Sequence, residues 1–318
     1  MNLSQSDFQT IKWWMYRNAR PLDIARWQYH FENGNSAEVL KALSSYQNED
    51  GGFGNALEAD TWNPNSSPYS ATIAIRLLDE IGFSEQSHPI IKGILRYLEN
   101  TTDFSGDYWP AVICSNNDYP HAPWWACTDK AVLEDWGYTP TAEIAGFILC
   151  FANENTNISK KAQEIAGKAI DKYLNGVLPN GSAYREICRE GEVGCYHHLL
   201  KCLETAKLTH LYKTSELKNA LKTQAKIFIE RDPSKWNDYC HKPSTFITSP
   251  DSMFFEGNEE IIYTELDYIL NKRNSEGIWD ITWRWSAYEK EFAISENWWK
   301  ANIVISNMLL IRNFNRLK

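Results

Sequence analysis

The sequence predicts an all-α fold made of helical hairpins, and three observations lead to this prediction. Apolar residues recur at the spacing of one helix face, as at Leu40 and Leu43. Glycine turns that are followed within three residues by an aromatic side chain return along the chain. Alternating apolar and polar runs, which mark β-strands, are sparse. With 318 residues, the chain has room for about twelve helices around a large core.

Proline, serine and glycine mark where the first helices start and stop. We expect helices over residues 7–17 and 21–31, because Pro21 suits the first turn of a helix. Gly34 interrupts the second helix, and Ser36 is a good cap for a third. This third helix leads directly into the most informative loop of the chain.

That loop reads Gln-Asn-Glu-Asp-Gly-Gly-Phe-Gly at positions 47–54. Glycine tolerates the backbone angles of a tight turn, and the phenylalanine can fill the turn from inside. Ser67 and Pro68 then open another helix, which is apolar on most sides until Gly82 ends it. We therefore expect the helix over 68–78 to lie in an inner layer of the fold.

The later part of the chain repeats this arrangement at uneven intervals. Four more helices are expected, near residues 88–98, 140–151, 195–206 and 297–314. The glycine turns are separated by 55, 75 and 96 residues, counted between Gly51, Gly106, Gly181 and Gly277. The longest interval leaves room for another hairpin with residues 242–250 as its loop. A strict solenoid would keep one period, so a degenerate repeat that closes on itself fits better.

The loop at 47–54 resembles the Gln-x-x-Asp-Gly-Gly-Phe-Gly loop of protein prenyltransferase β-subunits and triterpene (squalene-type) cyclases. This resemblance implies an α/α toroid, a single domain over residues 1–318 with an inner and an outer ring of helices around a central cavity. It also implies that Gln47 and Asp50 are structural residues that hold a helix end. The strings Pro-His-Ala-Pro-Trp-Trp and Thr-Ala-Glu-Ile-Ala-Gly are similar to those of bacterial proteins in the same superfamily.

The charge and composition of the chain limit the classes of molecule that it is expected to bind. The net charge of −9 and the pI of about 5.4 argue against a nucleic-acid surface, which needs clustered lysine and arginine. No run reaches the roughly 18 apolar residues of a membrane span. The start of the chain is polar and lacks the pattern of a signal peptide, so we expect a cytoplasmic protein. Its expected partner is a small-molecule substrate, with no obligate protein partner evident.

The cysteines predict reduced thiols rather than a disulfide framework. They are odd in number, irregularly spaced and without a C-x-x-C motif. Most are expected to act as small apolar residues of the core. Their positions are Cys114, Cys127, Cys150, Cys188, Cys195, Cys202 and Cys240.

Two carboxylates follow the glycine loop and precede an inner helix. Glu58 and Asp60 should overhang the mouth of a cavity, where they could act as an acid/base pair, bind a cation or contact sugar hydroxyls. The structural alternative is that they favour the N-terminal end of the next helix and are solvated.

The stretch around the second hairpin is the richest in functional side chains. Prolines at 120 and 123 hold His121 and the Trp124–Trp125 pair in an ordered loop, and His121 could relay a proton. Glu143 stands in an otherwise apolar helix. It is either a buried general acid with a raised pKa, or bound to a cationic or hydroxyl partner. A first-turn glutamate that favours the helix dipole is the structural alternative.

A third group of candidates brings positive charge. Arg185, Arg189 and His197 could hold an anionic group. His197 lies in a segment that resembles the Tyr-His segment carrying a zinc-binding histidine in protein prenyltransferases. That family's Asp-x-Cys ligand pair has no clear match, so we predict no metal or other cofactor, with Zn²⁺ and Mg²⁺ left open. Among the aromatic residues, Phe53, Trp109 and Trp279 are interpreted as plugs of the glycine turns. Trp124, Trp125, Trp283 and Trp285 are the aromatic candidates for substrate binding.

Three functions remain open at this point. The first is an enzyme of the terpenoid-cyclase and prenyltransferase type, with an apolar or isoprenoid-like substrate in an aromatic-lined cavity, although its Asp-x-Asp-Asp and Asp-Asp-x-x-Asp motifs are missing. The second is a carbohydrate-active enzyme of the (α/α)-barrel type, in which Glu58 or Asp60 acts opposite Glu143. The third is a non-catalytic module that binds a ligand or peptide.

Overall fold

The computed structural model describes residues 1–128, 136–176 and 190–318. Within these ranges the chain forms eleven α-helices and no β-strand, which confirms the all-α prediction. None of these helices combines the length and the apolar composition that crossing a membrane requires. The helices are α1 (Gln5–Asn18), α2 (Pro21–Phe31), α3 (Ser36–Ser44), α4 (Pro68–Glu80), α5 (Pro89–Asn100), α6 (Thr141–Phe151), α7 (Asn157–Asn175), α8 (Glu190–Thr205), α9 (Thr214–Phe228), α10 (Glu259–Asn271) and α11 (Glu289–Asn313).

Capping side chains explain most of the helix starts. Helix α2 begins at Pro21 as predicted, and α4 begins at Pro68 after Ser67, whose side chain accepts a hydrogen bond from the main-chain N–H of Ser70. Helix α1 begins earlier than predicted because Ser4 forms a reciprocal capping box with the third residue of the helix. Helices α7, α9 and α10 were not specified by the sequence analysis.

The described residues form two compact units. Unit 1 comprises Met1–Leu43 and Ala225–Lys318, and unit 2 comprises Ser44–Gln224. In unit 1, α1 and α2 pack with α11. The first and last segments of the chain pair there, since the N–H of Leu3 donates to the carbonyl of Arg316 at 2.8 Å. The predicted single domain over the whole chain stays a prediction.

The segment expected as the loop of an additional hairpin, residues 242–250, lies between α9 and α10. It contains the short 3₁₀ turn Pro243–Thr245, against which α10 packs. A hairpin formed by α9 and α10 stays a prediction.

Helix α6 is the centre of unit 2. It is buried from Thr141 to Leu149 and packs against α7 and α8. The close approach of α8 depends on Gly146, because a Cβ atom there would lie 3.0 Å from the Cα of Leu199. This contact places the start of α8 beside the start of α6, where Glu143 lies.

The glycine loop at 47–54 is held against α5 within unit 2. The Gln47 amide donates to the carbonyls of Gly51 at 2.9 Å and Ile90 at 3.2 Å. Gly51 has a φ of +94° and touches the backbone of Gly93 so closely that any side chain would collide with it. The Asp50 carboxylate accepts the N–H of Gly52 at 2.8 Å. These contacts agree with the structural roles expected for Gln47 and Asp50.

The three aromatic side chains interpreted as plugs, Phe53, Trp109 and Trp279, are buried, as predicted. Phe53 is inaccessible to solvent. The indole N–H of Trp109 donates to the carbonyl of Leu98, near the end of α5, at 3.2 Å. Trp279 makes the equivalent bond to Ile269, near the end of α10, at 2.9 Å. The same helix-end contact thus occurs in both units, which indicates a repeated hairpin design.

The expectation that all cysteines are reduced is wrong for two of them. Cys114 and Cys127 form a disulfide, which joins the two ends of the loop that carries His121. Irregular spacing could not reveal this pair, because the pairing depends on how the loop folds back. Cys188 lies outside the described residues, and the free cysteines are Cys150, Cys195, Cys202 and Cys240.

Candidate functional site

Two loops of unit 2, around residues 58–62 and 119–125, are hydrogen-bonded to each other, although the sequence analysis placed them in different hairpins. The N–H of Ala122 donates to the carbonyl of Asp60 at 2.8 Å, and the N–H of Trp62 donates to the carbonyl of Pro120 at 2.9 Å. His121 lies between these contacts. Glu58, Asp60 and His121 therefore belong to one region of the molecule, and the side chains of both carboxylates are buried.

His121 is oriented by its own loop. Its Nδ1 lies 2.7 Å from the carbonyl oxygen of Tyr119. A carbonyl can only accept, so this contact requires the proton on Nδ1 and leaves Nε2 as the basic nitrogen. The arrangement is the one that a proton-relaying histidine needs, although backbone anchoring alone also explains it.

Glu143 is bound by an arginine that the sequence analysis missed. The guanidinium of Arg76 on α4 donates from Nε to Oε1 at 2.9 Å and from Nη2 to Oε2 at 2.6 Å. Glu143 is only 1% exposed. Of the two roles considered for this buried carboxylate, the geometry matches the one with a cationic partner. A glutamate held in this way positions the arginine rather than meeting a substrate directly.

Arg76 and the aromatic rings beside it form a region of unit 2 that we call the recess. The Arg76 side chain is 40% exposed. Burial is nevertheless the largest single influence on its pKa, and it acts to lower that pKa. The charge of Glu143 is the largest of the effects that hold the pKa well above its usual value. Arg76 therefore carries a permanent positive charge that is partly desolvated and still accessible.

Aromatic rings form one side of this recess. The Tyr69 ring lies 5.8 Å from the guanidinium carbon of Arg76, one face of α4 carrying both residues two turns apart. Trp125 meets Tyr69 edge-on, with centroids 4.5 Å apart, and stacks on Trp136 at 5.1 Å. Trp125 is buried, so Tyr69 and Trp136 supply the accessible aromatic surface.

Glu58 and Cys195 complete the surroundings of Tyr69 and Arg76. The negative charge of Glu58 contributes to a raised pKa of Tyr69, after burial as the main cause. The Cys195 thiol lies 3.6 Å from Oε2 of Glu143, to which it can donate. Burial, and then the charge of Glu143, raises the pKa of Cys195 to about 12. Cys195 is therefore a neutral thiol at neutral pH rather than a nucleophile.

Two buried polar atoms of the docked loops have no hydrogen-bond partner among the described residues. They are the hydroxyl of Thr61 and the indole nitrogen of Trp125. Buried polar groups are almost always satisfied in folded proteins, so each such atom calls for a water molecule or a ligand. These atoms lie in the same loop pair as Glu58, Asp60 and His121.

Two further predicted residues of unit 2 have different surroundings. Trp124 is 39% exposed, whereas its neighbour Trp125 is buried. His197 lies on α8, where burial and the nearby charges of Lys201 and His198 lower its pKa to about 4. It is thus neutral at physiological pH. Arg185 and Arg189 lie outside the described residues.

Trp283 and Trp285 belong to unit 1. Trp283 packs edge-on against Trp299 with centroids 5.2 Å apart, and Trp285 packs against Phe292 at 5.7 Å. Trp285 is buried. These contacts are those of an aromatic cluster within unit 1, and the substrate-binding role of both residues stays a prediction.

The signal that could have revealed the missed residues is present in the sequence. Tyr69 and Arg76 are seven residues apart in a helix whose middle is largely apolar, which places them on one face. A charged side chain among apolar residues needs a partner, and Glu143 is the corresponding charged residue in α6. The two residues are therefore candidates for an ion pair, and the packing of α4 against α6 decides that they meet.

Among the described residues, no group of three or more histidine, cysteine, aspartate or glutamate side chains is arranged to hold a metal ion. Comparison with protein-family models, with curated proteins and with solved structures gives no match to this chain. The functional argument therefore rests on the chemistry of the site itself.

Proposed function

We propose that unit 2 carries the active site of an enzyme of the terpenoid-cyclase and prenyltransferase type, which acts on an apolar or isoprenoid-like substrate. One observation carries the proposal: Arg76, held by the buried Glu143, is accessible in a recess beside the rings of Tyr69 and Trp136. Aromatic rings can pack against an apolar chain and stabilise a developing positive charge. Arg76 supplies a fixed cation for an anionic head group.

Proton transfer is assigned to the docked loops. Glu58 is the preferred acid/base residue because its charge acts on Tyr69, which lines the recess. Asp60 and His121 are the second carboxylate and the relay on the same pair of loops. Glu143 positions Arg76 in this scheme.

The toroidal arrangement and the cytoplasmic location are part of the same proposal. The repeated indole contacts of Trp109 and Trp279 support a ring of similar hairpins, and the pairing of Leu3 with Leu317 supports its closure. The Cys114–Cys127 disulfide is unusual for a cytoplasmic protein. Counting free thiols in freshly lysed cells by alkylation would decide whether this bond exists there.

Ligand binding is the first test. The melting temperature of the purified chain is measured against isoprenoid diphosphates, the corresponding alcohols, and neutral and uronic oligosaccharides, with and without Mg²⁺ or Zn²⁺. We expect isoprenoid diphosphates to raise the melting temperature in a concentration-dependent way, and more than the alcohols do, because only the diphosphates engage Arg76.

Matched variants then locate the site. Tyr69→Leu removes an aromatic ring from the recess, whereas Tyr212→Leu removes a ring elsewhere in unit 2, where its hydroxyl bonds the carbonyl of Gln163. Tyr69→Leu and Arg76→Lys should weaken binding by about tenfold each, and Tyr212→Leu should leave it unchanged. Equal affinity in all three variants would place the ligand elsewhere.

Turnover is the second test. Products from a bound isoprenoid are analysed by gas chromatography, and we expect Glu58→Gln to abolish product formation while ligand-induced stabilisation persists. Binding without any product from the unmodified chain would favour the non-catalytic module.

A carbohydrate-active enzyme is the second candidate, favoured by two buried carboxylates, Glu58 and Asp60, beside the unsatisfied hydroxyl of Thr61. Stabilisation by oligosaccharides and not by isoprenoids would establish this alternative. Its original form, with Glu143 as the opposing acid, is weakened because Arg76 occupies both oxygens of that carboxylate.

A further inference from the structure

Unit 2 also contains an open polar groove beside the glycine loop at 47–54. Its volume is about 550 Å³, within the usual range for small-molecule sites. The glycine loop forms one wall, and the C-terminal end of α5 with the following turn forms the other. The residues that matter for binding are Glu49, Asp50, Asn65, Tyr97, Thr101 and Asp103.

The groove is acidic, and its lining among the described residues contains no lysine, arginine or histidine. It contains the carboxylates of Glu49, Asp50 and Asp103. Arg96 is close in sequence, but its guanidinium binds the main-chain carbonyls of Glu49 at 2.7 Å and Asp50 at 3.2 Å rather than the carboxylates. The carbonyl end of α5 adds to the negative potential.

The carboxylates of the groove influence each other. Burial raises the pKa of Asp103, and the neighbouring charge of Asp50 raises it further. Asp50 uses Oδ1 to bind Gly52 and Ser66, and Asp103 accepts from Thr101 at 3.2 Å. Negative charges held close together repel each other, which disfavours the ionised forms of both carboxylates. A bound cation would relieve this repulsion.

A buried hydroxyl at the groove points independently to a ligand. Tyr97 is 4% exposed, and no partner for its hydroxyl lies within normal hydrogen-bond distance among the described residues. The hydroxyl is nevertheless near enough to Asp103 and Asp50 for both charges to contribute to its raised pKa, after burial as the main cause. The side chains of Thr101 and Asp103 also lie close enough to the Tyr97 hydroxyl to affect its pKa. The phenol oxygen is therefore placed to accept from a donor in the groove.

We propose that this groove binds a small organic polycation of the polyamine class, with ammonium groups spaced along a flexible chain. Asp103 and Asp50 bind one ammonium, the Tyr97 oxygen accepts from the same group, and Glu49 binds a second. Ammonium carries several donors and no acceptor, which matches a lining that contains three carboxylates and the phenol oxygen of Tyr97. The described residues hold no cluster of three metal ligands, so an organic cation fits the groove better than a metal ion.

Isothermal titration with spermidine at physiological ionic strength tests this proposal. Asp103→Asn removes a charge from the groove, and Glu99→Gln removes one from an exposed position of α5 outside the groove. We expect Asp103→Asn to weaken binding by about tenfold, Tyr97→Phe by about threefold, and Glu99→Gln by less than about twofold. Tyr97→Phe deletes a hydroxyl without a hydrogen-bond partner among the described residues, so its melting temperature should not fall.

Three results would overturn the proposal. They are the absence of spermidine binding by the unmodified chain, equal affinity of Asp103→Asn and Glu99→Gln, and equally tight binding of 1,8-octanediol, which has similar length and no charge. Tyr69→Leu should bind spermidine normally, because Tyr69 lies outside this groove. The groove and the recess at Arg76 can therefore fail independently.

Discussion

Glu143 in unit 2 and Glu265 in unit 1 are both buried carboxylates on helices, and their surroundings differ. Glu143 is held by the guanidinium of Arg76. Glu265 is 0% exposed and accepts from the N–H and the hydroxyl of Ser244, both at 2.6 Å. Burial raises the pKa of Glu265 to about 7, with Ser244 and the charge of Lys242 acting in the opposite direction.

The comparison shows that burial alone does not decide what a carboxylate does. Unit 2 keeps two opposite charges together beside a recess, which suits a site that binds an anion. In unit 1 the Glu265 carboxylate has no such cation bound to it among the described residues and takes up a proton more readily. The reason is that hydrogen bonds from Ser244 only partly offset the loss of its hydration. The Arg76–Glu143 pair thus maintains a positive charge that can bind a ligand. The Glu265–Ser244 contact instead makes the free energy of unfolding depend on pH.

Removing the carboxylate of Glu143 should have the largest effect. Glu143→Gln leaves Arg76 without its counter-charge in the recess. The loss for a fully buried pair is about 3–5 kcal/mol, and we expect about 2–3 kcal/mol here because Arg76 retains contact with solvent. Urea denaturation at pH 7 measures the free energy of unfolding. Glu164→Gln, on the exposed surface of α7, is the control and should change it by less than about 0.5 kcal/mol.

Glu265 should make unfolding depend on pH. Its folded pKa of about 7 lies above the ordinary value of 4.5, so the folded state binds more protons between these values. Stability from this group is complete below about pH 4.5 and is lost as the pH rises to 7. The loss should be of the order of 2–3 kcal/mol, given about 1.4 kcal/mol per unit of pKa.

The comparison of the unmodified chain with Glu265→Gln isolates this effect. Unfolding free energies are measured at pH 5 and pH 7.5, and the variant should lack most of the decrease. An identical decrease in both proteins would show that Glu265 is ionised over the whole range, and the contrast with Glu143 would disappear.

Ser244→Ala sharpens the same contrast with a smaller effect. It removes one of the two hydrogen bonds to the Glu265 carboxylate, at a cost of about 1 kcal/mol. The cost should be greater at pH 7.5 than at pH 5, because hydrogen bonds from Ser244 favour the charged form. Thr264→Ala on the same helix removes a hydroxyl that bonds only the carbonyl of Glu260. A pH dependence in that control equal to the one in Ser244→Ala would contradict the assignment.

Replacing the ion pair as a whole should have the smallest effect on stability. The double variant Arg76→Met with Glu143→Met removes both charges and keeps their approximate volume. We expect its unfolding free energy to lie within about 1 kcal/mol of the unmodified chain, because isolated buried charges are costly whereas apolar replacements are not. Isoprenoid diphosphate binding should be lost in the same protein. Retained binding would show that the pair is structural only.

Local chemistry allowed much of the fold to be predicted from the sequence. The start of α2 follows from Pro21. The tight turn at Gly51, with its positive φ, follows from the tolerance of glycine for that angle. The burial of Phe53, Trp109 and Trp279 follows from their place after a turn. Each of these depends on residues within about one or two helical turns. Backbone propensity and capping are interactions over such distances, so they are visible in the sequence.

The partners of the buried side chains were decided only by the tertiary structure. The contact of Arg76 with Glu143 spans 67 residues, and that of Cys195 with Glu143 spans 52. Sequence periodicity shows that a residue faces inwards but not which residue it meets. That choice depends on the packing of α4, α6 and α8, including the close approach at Gly146. The sequence by itself determined most of the helices and several of the residues that could do chemistry, and packing over long sequence separations decided which residues meet.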